Sequence, residues 1–213
     1  MRLVVSTAEG GGPFDGIFWT SYLEAGGPRP EAVLLLRDSN GRGILQKAVE
    51  SVLLFRVPEA VRLVAAKELG RPLVAADREK GLQHDLTDLF APRSIRRIES
   101  LNSERGLSVL RGLRPDVLVS VGSPEIFGDP VLEIPERASL NVHNGRLPTY
   151  RGMFGTFWEM YEGEPEGFVT VHEMVPEVDA GDIVAERAVE LADSLFEAIV
   201  RKKEVGGRLL ARL

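Results

Sequence analysis

Three strand-like runs rich in apolar residues constrain this chain more than any other feature: EAVLLLR (31–37), DVLVSVG (116–122) and ASLNVH (138–143). A strand that is apolar on both sides must be covered on both, which is the situation of a central strand in a parallel sheet. RLVVS (2–6) and RPLVAA (71–76) read as further short strands. Segments of helical spacing lie between them. One runs from about Asp15 to Ala25. A second carries Ile44, Leu45, Ala48, Val49, Val52 and Leu53. A third opens at Pro58 and closes at Gly70, and a fourth is the capped NSERGLSVLRGLRP (102–115). FVTVHEM (168–174) and DIVAERAVEL (182–191) alternate, which predicts antiparallel or edge strands near the C-terminal end. Leu195, Phe196, Ile199, Val200, Leu209, Leu210 and Leu213 form the apolar stripe of a final helix, while residues 77–100 read as a long loop or irregular crossover. The pattern predicts an α/β fold with a mostly parallel central sheet flanked by helices, as one domain over 1–213.

Charge and composition narrow the function classes. The net charge of −6 is spread along 213 residues, so no phosphate-binding face for nucleic acid is expected. The cluster Arg93, Arg96 and Arg97 has acidic neighbours and reads as solvated surface. With no cysteine there is no disulfide, thiolate metal site or thiol nucleophile, which fits a reducing cytoplasm. No segment approaches membrane-spanning length. His84, His143 and His172 show no ligand spacing, so no metal is expected.

The stretch SLNVHNGRLPTYRG (139–152) sets Asn141 and His143 two apart, where a strand runs into a Gly- and Pro-containing loop. Residues two apart on a strand share a face. They sit at a strand end, where open α/β sheets take their ligands. An amide N–H can donate to a carbonyl oxygen as that oxygen gains charge. An imidazole can move a proton or, protonated, stabilise the same oxygen. Taken alone, the pair reads more readily as a polar strand end satisfied by backbone groups. MVPEVDAGDIV (174–184) changes the weighing, because it puts Asp179 in a tight loop between the last two strands. A carboxylate there could return to His143, orient it and raise its basicity.

LNVHNGRLPTYRG, followed by EGEPEGFVTVHEMVPEVDAGDIV, resembles the folate-dependent formyltransferase family. Its members carry an Asn-x-His, a Leu-Pro-x-Tyr-x-Gly segment and a later Asp-x-Gly loop in this order. The resemblance covers about Pro115 to Leu191 and is weak before Asn102. It implies a Rossmann-like formyltransferase fold, catalytic positions at Asn141, His143 and Asp179, and 10-formyltetrahydrofolate as formyl donor. The pterin would thread between SPEIF (123–127) and VPEVDAG (175–181). That implies cofactor contacts at Pro124, Glu125, Ile126, Phe127, Val175, Val178 and Asp182. His172 reads as a hydrogen-bonded structural residue, and Tyr150 and Arg151 as braces of their loop.

The acceptor end is less defined. Glycinamide ribonucleotide transformylases place Gly-Ser-Asn after the first strand, where this chain has AEGGGPFDG. Backbone amides at Gly11 and Gly12 could cradle an anion, but Glu9 and Asp15 oppose one. A tRNA formyltransferase would need a further C-terminal domain, and the chain stops at Leu213. The expected acceptor is therefore a small primary amine, such as a nucleotide-linked amino sugar. In MFGTFW (153–158), Phe154 and Trp158 could line its site, although aromatics at this spacing are more often core. Two rival readings remain within the fold: a glycinamide ribonucleotide formyltransferase and a formyltetrahydrofolate hydrolase. A nucleotide-binding oxidoreductase is the rival from another class, suggested by the glycine turn and Asp38 but lacking a third glycine.

Overall fold

The computed structural model describes residues 1–9, 13–37 and 86–213. The expected anion cradle at Gly11 and Gly12, the helices and strand read within 38–76, Asp38 and His84 lie outside the described residues. Within them, seven strands form one sheet: β1 (Leu3–Ala8), β2 (Ala32–Leu36), β3 (Ile95–Ile98), β4 (Val117–Ser120), β5 (Ala138–His143), β6 (Gly167–Glu173) and β7 (Ile183–Val189). Their order is β3-β2-β1-β4-β5-β6-β7. β1 to β5 pair in parallel, and β6 and β7 add antiparallel. The α/β, mostly parallel fold is as the strand runs predicted. The chain winds outward in both directions from the β1–β4 pair, so a crevice opens beyond the carboxyl ends of these strands.

The described helices are α1 (Pro13–Glu24), α2 (Leu86–Leu89), α3 (Glu104–Leu113), α4 (Asp129–Leu132), α5 (Gly155–Tyr161) and α6 (Leu195–Leu210). One apolar cluster joins Leu3, Val5, Val33, Leu35, Val119, Val142 and Val171 to Phe18, Trp19 and Tyr22 of α1 and Leu210 of α6. A second joins Val4, Leu34, Leu36 and Leu118 to Leu107, Leu110 and Leu113 of α3. Alternate residues of each strand thus feed opposite layers, which is why β2 is apolar throughout and β1 and β4 are apolar up to their carboxyl ends. Gly207 lets α1 and α6 touch, because a Cβ there would stand 2.2 Å from the Phe18 carbonyl oxygen.

Three elements differ from the sequence expectation. The described part of 77–100 is not a plain loop, since α2, a 3-10 turn at Pro92–Ser94 and strand β3 occupy it. The strand was hidden by its sequence, Ile-Arg-Arg-Ile, which puts two exposed arginines mid-strand. Such charges suit an edge strand, where they discourage pairing with another chain. Arg97 pairs with Glu9 at 2.9 Å. In α6 the stripe is interrupted by buried Lys202 and Lys203, while Leu213 lies exposed beyond the helix end. Phe154 and Trp158 are not core: they are 47% and 44% exposed. Among the described residues no helix is long and apolar enough to cross a membrane.

Candidate active site

Register brings the polar side chains together. Asn141 of β5 stands opposite His172 of β6, and His143 opposite Thr170, so all four share one face of the sheet. The β6–β7 loop folds back over this end, with Asp179 in the left-handed region at φ 48°. An aspartate tolerates that conformation better than most side chains. Gly181 permits the return, since a Cβ there would lie 2.0 Å from the Glu173 carbonyl oxygen.

The result is a four-residue cluster around one carboxylate. Asp179 Oδ2 lies 3.4 Å from His143 Nδ1 and accepts from the Gly152 N–H at 2.8 Å. Its Oδ1 lies 3.4 Å from His172 Nε2 and 3.5 Å from Asn141 Nδ2. Asn141 Nδ2 also lies 3.1 Å from His172 Nε2, and His172 Nδ1 lies 2.7 Å from the Glu173 carbonyl. A carbonyl can only accept, so His172 Nδ1 carries a proton and its Nε2 is free to accept from Asn141. One amide hydrogen of Asn141 is thereby fixed. The other, on the long contact to Asp179, is the one a ligand oxygen could claim.

The same logic assigns His143. Its Nε2 is 2.6 Å from the Tyr150 carbonyl and must carry a proton. Gly145 leaves room for this ring, since a Cβ would meet Nε2 at 2.8 Å. Burial pulls the His143 pKa below the ordinary imidazole value, against the upward pull of Asp179 and the Tyr150 carbonyl. Nδ1 faces the Asp179 carboxylate, which favours a proton on that nitrogen while burial disfavours one. Burial pushes Asp179 up, but His172, His143 and the Gly152 amide outweigh it and leave the carboxyl below its usual range.

These groups line a cavity of about 610 Å³. At one end stands the β4–α4 loop with Ser123, Pro124, Glu125, Ile126 and Phe127, facing Val175 and Val178. That loop is pinned from behind: the Glu125 carboxylate accepts from the Leu101 N–H at 2.6 Å and the Ser100 hydroxyl at 2.7 Å. Asn102 bonds the Ile126 carbonyl at 2.9 Å and the Gly128 N–H at 2.8 Å. Ile126 is 65% exposed, whereas Phe127 is buried beneath it. The Ser123 hydroxyl is buried without a hydrogen-bond partner among the described residues. At the other end stand Thr156 and Phe157 with Leu195, Ile199 and Lys203 of α6.

Most residues singled out in the sequence meet here, but not all. Asn141, His143, Asp179, Pro124 to Phe127, Val175, Val178 and Phe154 line the cavity. Trp158 does not; it packs on Phe157 and Tyr161 outside. Asp182 is exposed and outside as well, and only its carbonyl is used, accepting from the Glu173 N–H. Tyr150 and Arg151 brace their loop, through Glu162 and Glu164 and through Glu177 respectively. His172 is hydrogen-bonded as expected and also lines the cavity; its place opposite Asn141 depends on a strand register that one sequence does not reveal. Leu195 and Ile199, read in the sequence as part of the final helix's apolar stripe, also line the cavity, with Lys203 beside them. Among the described residues, no group of three or more His, Cys, Asp or Glu could hold a metal ion.

The strand order and the cluster define an α/β protein with a polar, cavity-lining cluster at the carboxyl edge of its sheet. The chain belongs to the formyl transferase family, whose model matches residues 46–204. It is 31% identical over 150 residues to the methionyl-tRNA formyltransferase of Thermotoga neapolitana, covering 70% of this chain and 44% of that one. The phosphoribosylglycinamide formyltransferase of Streptococcus pneumoniae has the same fold, with a TM-score of 0.59 and 18% identity over 99% of this chain and 95% of that one. A 4-N formyltransferase from Francisella tularensis gives 0.56 and 16%, over 99% and 66%. The chain spans about half the length of the curated relatives it matches.

Proposed function

We propose that this protein transfers a formyl group to the primary amine of a small acceptor. The observation that carries the reading is the convergence of Asn141, His143, His172 and Asp179 on one cavity in a formyl transferase chain. The donor end suits 10-formyltetrahydrofolate. It offers apolar walls at Ile126, Val175 and Val178 for a flat ring, and an unpartnered Ser123 hydroxyl for one of its polar atoms. When bound, that group supplies a formyl carbon as electrophile.

The chain's own residues do the rest. Asn141 turns its second N–H from the long contact with Asp179 to the formyl oxygen as negative charge grows there. His143 Nδ1 takes the proton that the attacking amine releases. Asp179 holds the imidazolium so formed and keeps the ring turned. His172 fixes the Asn141 amide so that its second hydrogen points at the ligand. In the overall exchange a C–N bond to the acceptor forms, the bond to the donor nitrogen breaks, and the amine proton ends on that nitrogen.

The test is incubation with 10-formyltetrahydrofolate and a panel of amines, read as a mass gain of one formyl group on the acceptor. Amino-sugar nucleotides and glycinamide ribonucleotide belong in the panel. So does aminoacyl-tRNA, because the charge argument against nucleic acid gains no support from relatives that are methionyl-tRNA formyltransferases. Formyl gain on a small amine supports the reading. Release of the formyl group to water alone, at the same rate with and without amines, overturns it in favour of a hydrolase.

A further inference from the structure

The antiparallel ladder between β5 and β6 ends at the pair His143–Thr170. Beyond it the chain turns away through Asn144, Gly145 and Arg146, whose backbone groups no longer have a strand to pair with. Buried side chains from three other elements take the strand's place. The Asn144 carbonyl accepts from the Thr156 hydroxyl of α5 at 3.1 Å and lies 3.4 Å from Lys202 Nζ of α6. The Gly145 carbonyl accepts from the Thr170 hydroxyl of β6 at 2.8 Å. Glu159 of α5 closes the gap where the ladder stops. Its Oε1 accepts from the Arg146 N–H on one side and the Phe168 N–H of β6 on the other, at 3.0 Å each. Its Oε2 takes the Lys202 ammonium. Gly167 leaves room for the pair, since a Cβ there would stand 2.6 Å from Lys202 Cε and 2.8 Å from Glu159 Oε2.

From this turn a path of hydrogen bonds leads to the His143 ring. The Arg146 carbonyl accepts from the Tyr150 N–H at 2.8 Å, and the Tyr150 carbonyl accepts from His143 Nε2–H at 2.6 Å. Neither Glu159 nor Lys202 is among the described residues that line the cavity. Both are wholly buried. A buried ion pair is weak evidence for stability, because well-packed apolar residues of the same volume often serve as well. An apolar pair could not, however, accept from two backbone N–H groups that have no other partner. That acceptor is what the carboxylate adds, and the lysine is what lets a carboxylate sit there.

We infer that Glu159, held by Lys202, is a positioning residue for His143: it fixes the turn that carries the Tyr150 carbonyl and so sets the place of the ring. The inference rests on the formyl-transfer reading. With Nε2 committed to Tyr150, Nδ1 is the nitrogen left facing Asp179 and the cavity. A turn that drifts takes the ring with it.

Two double variants separate positioning from stability. Glu159→Gln with Lys202→Met removes both charges, but the amide oxygen still accepts from Arg146 and Phe168. Glu159→Leu with Lys202→Met removes the charges and the acceptor together. Melting curves report whether each folds. The proton NMR signal of His143 Nε2–H is read without substrate; its hydrogen bond to Tyr150 keeps it downfield and slow to exchange. The signal persists in native protein and in the Gln–Met variant, and exchange removes it in the Leu–Met variant. In formyl transfer the Leu–Met variant loses about tenfold or more in kcat with both KM values little changed, because a small displacement of a reacting group is felt in the transition state. The Gln–Met variant recovers most of that loss. Should the Leu–Met variant not melt cooperatively, Glu159→Asp replaces it: the shorter side chain withdraws from the two amides, and the same losses are expected. Native signal and kcat in the variant lacking the acceptor overturn the inference, as does a Gln–Met variant that falls equally far. The expected signal pattern in a protein that transfers no formyl group would keep the positioning and sink the formyl-transfer reading.

Discussion

At the scale of single residues the site is governed by two opposed pulls on His143. Burial depresses its pKa, and the Asp179 carboxylate 3.4 Å away raises it. Asp179→Asn removes only the upward pull, so the His143 ring titration, followed by NMR, moves to still lower pH; an unmoved or raised midpoint contradicts the assignment. The sign of the stability effect follows. The folded pKa lies below the unfolded value of about 6.5, so the stability gained from a neutral buried ring is present above that value. It is lost as pH falls through the folded pKa. The acid limb of the activity profile lies in the same window, below the ordinary imidazole value, because a protonated His143 cannot take the amine's proton. A limb at or above the ordinary value would count against His143 as base.

At the scale of elements, buried charge and glycine hold the two walls of the cavity in place. Lys202 of α6 pairs with Glu159 of α5, both wholly buried. Glu159 also accepts from the Arg146 and Phe168 backbone N–H groups at 3.0 Å each, which ties the loop after β5 to β6. Burial lowers the Lys202 pKa, with Glu159 working against it. Glu159→Ala strands the lysine and both amides, and the expected loss is about 3–5 kcal/mol in denaturant unfolding. Lys202→Met should cost less, since Glu159 keeps its two backbone donors; equal losses would show that the pair is not the source. Gly207→Ala is expected to cost about 1–3 kcal/mol through the clash with Phe18, despite alanine's better helix propensity. A raised melting temperature would show that the helices can separate. These features also mark where sequence reading stops. The apolar runs of β2, β4 and β5 were legible because both sheet faces are covered. β3 was not, because an edge strand of Ile-Arg-Arg-Ile carries charge mid-strand, nor was the burial of Lys202, because its compensating acid lies 43 residues away.

At the scale of the whole molecule, the parallel sheet with its antiparallel extension explains why four distant residues meet. β5 ends at His143, β6 returns beside it to set His172 opposite Asn141, and the loop before β7 delivers Asp179. The shared face of Asn141 and His143 was readable from strand periodicity and the loop position of Asp179 from its glycine turn, while their joint role was implied by the family resemblance. Their convergence required the pairing of β5 with β6, which no local pattern encodes. The α6 wall of the cavity stayed hidden for a related reason, since α6 joins the site only through tertiary packing. The central claim is that Asn141 acts on the oxygen of a transferred formyl group. It is tested most directly by single-turnover transfer of a carbon-13 formyl label from 10-formyltetrahydrofolate to the preferred amine, comparing native protein with Asn141→Ala. Losing an oxyanion donor costs about 2.7–4 kcal/mol, so the variant should transfer label at least about a hundredfold more slowly with the amine KM little changed. Transfer within tenfold of native would contradict the account.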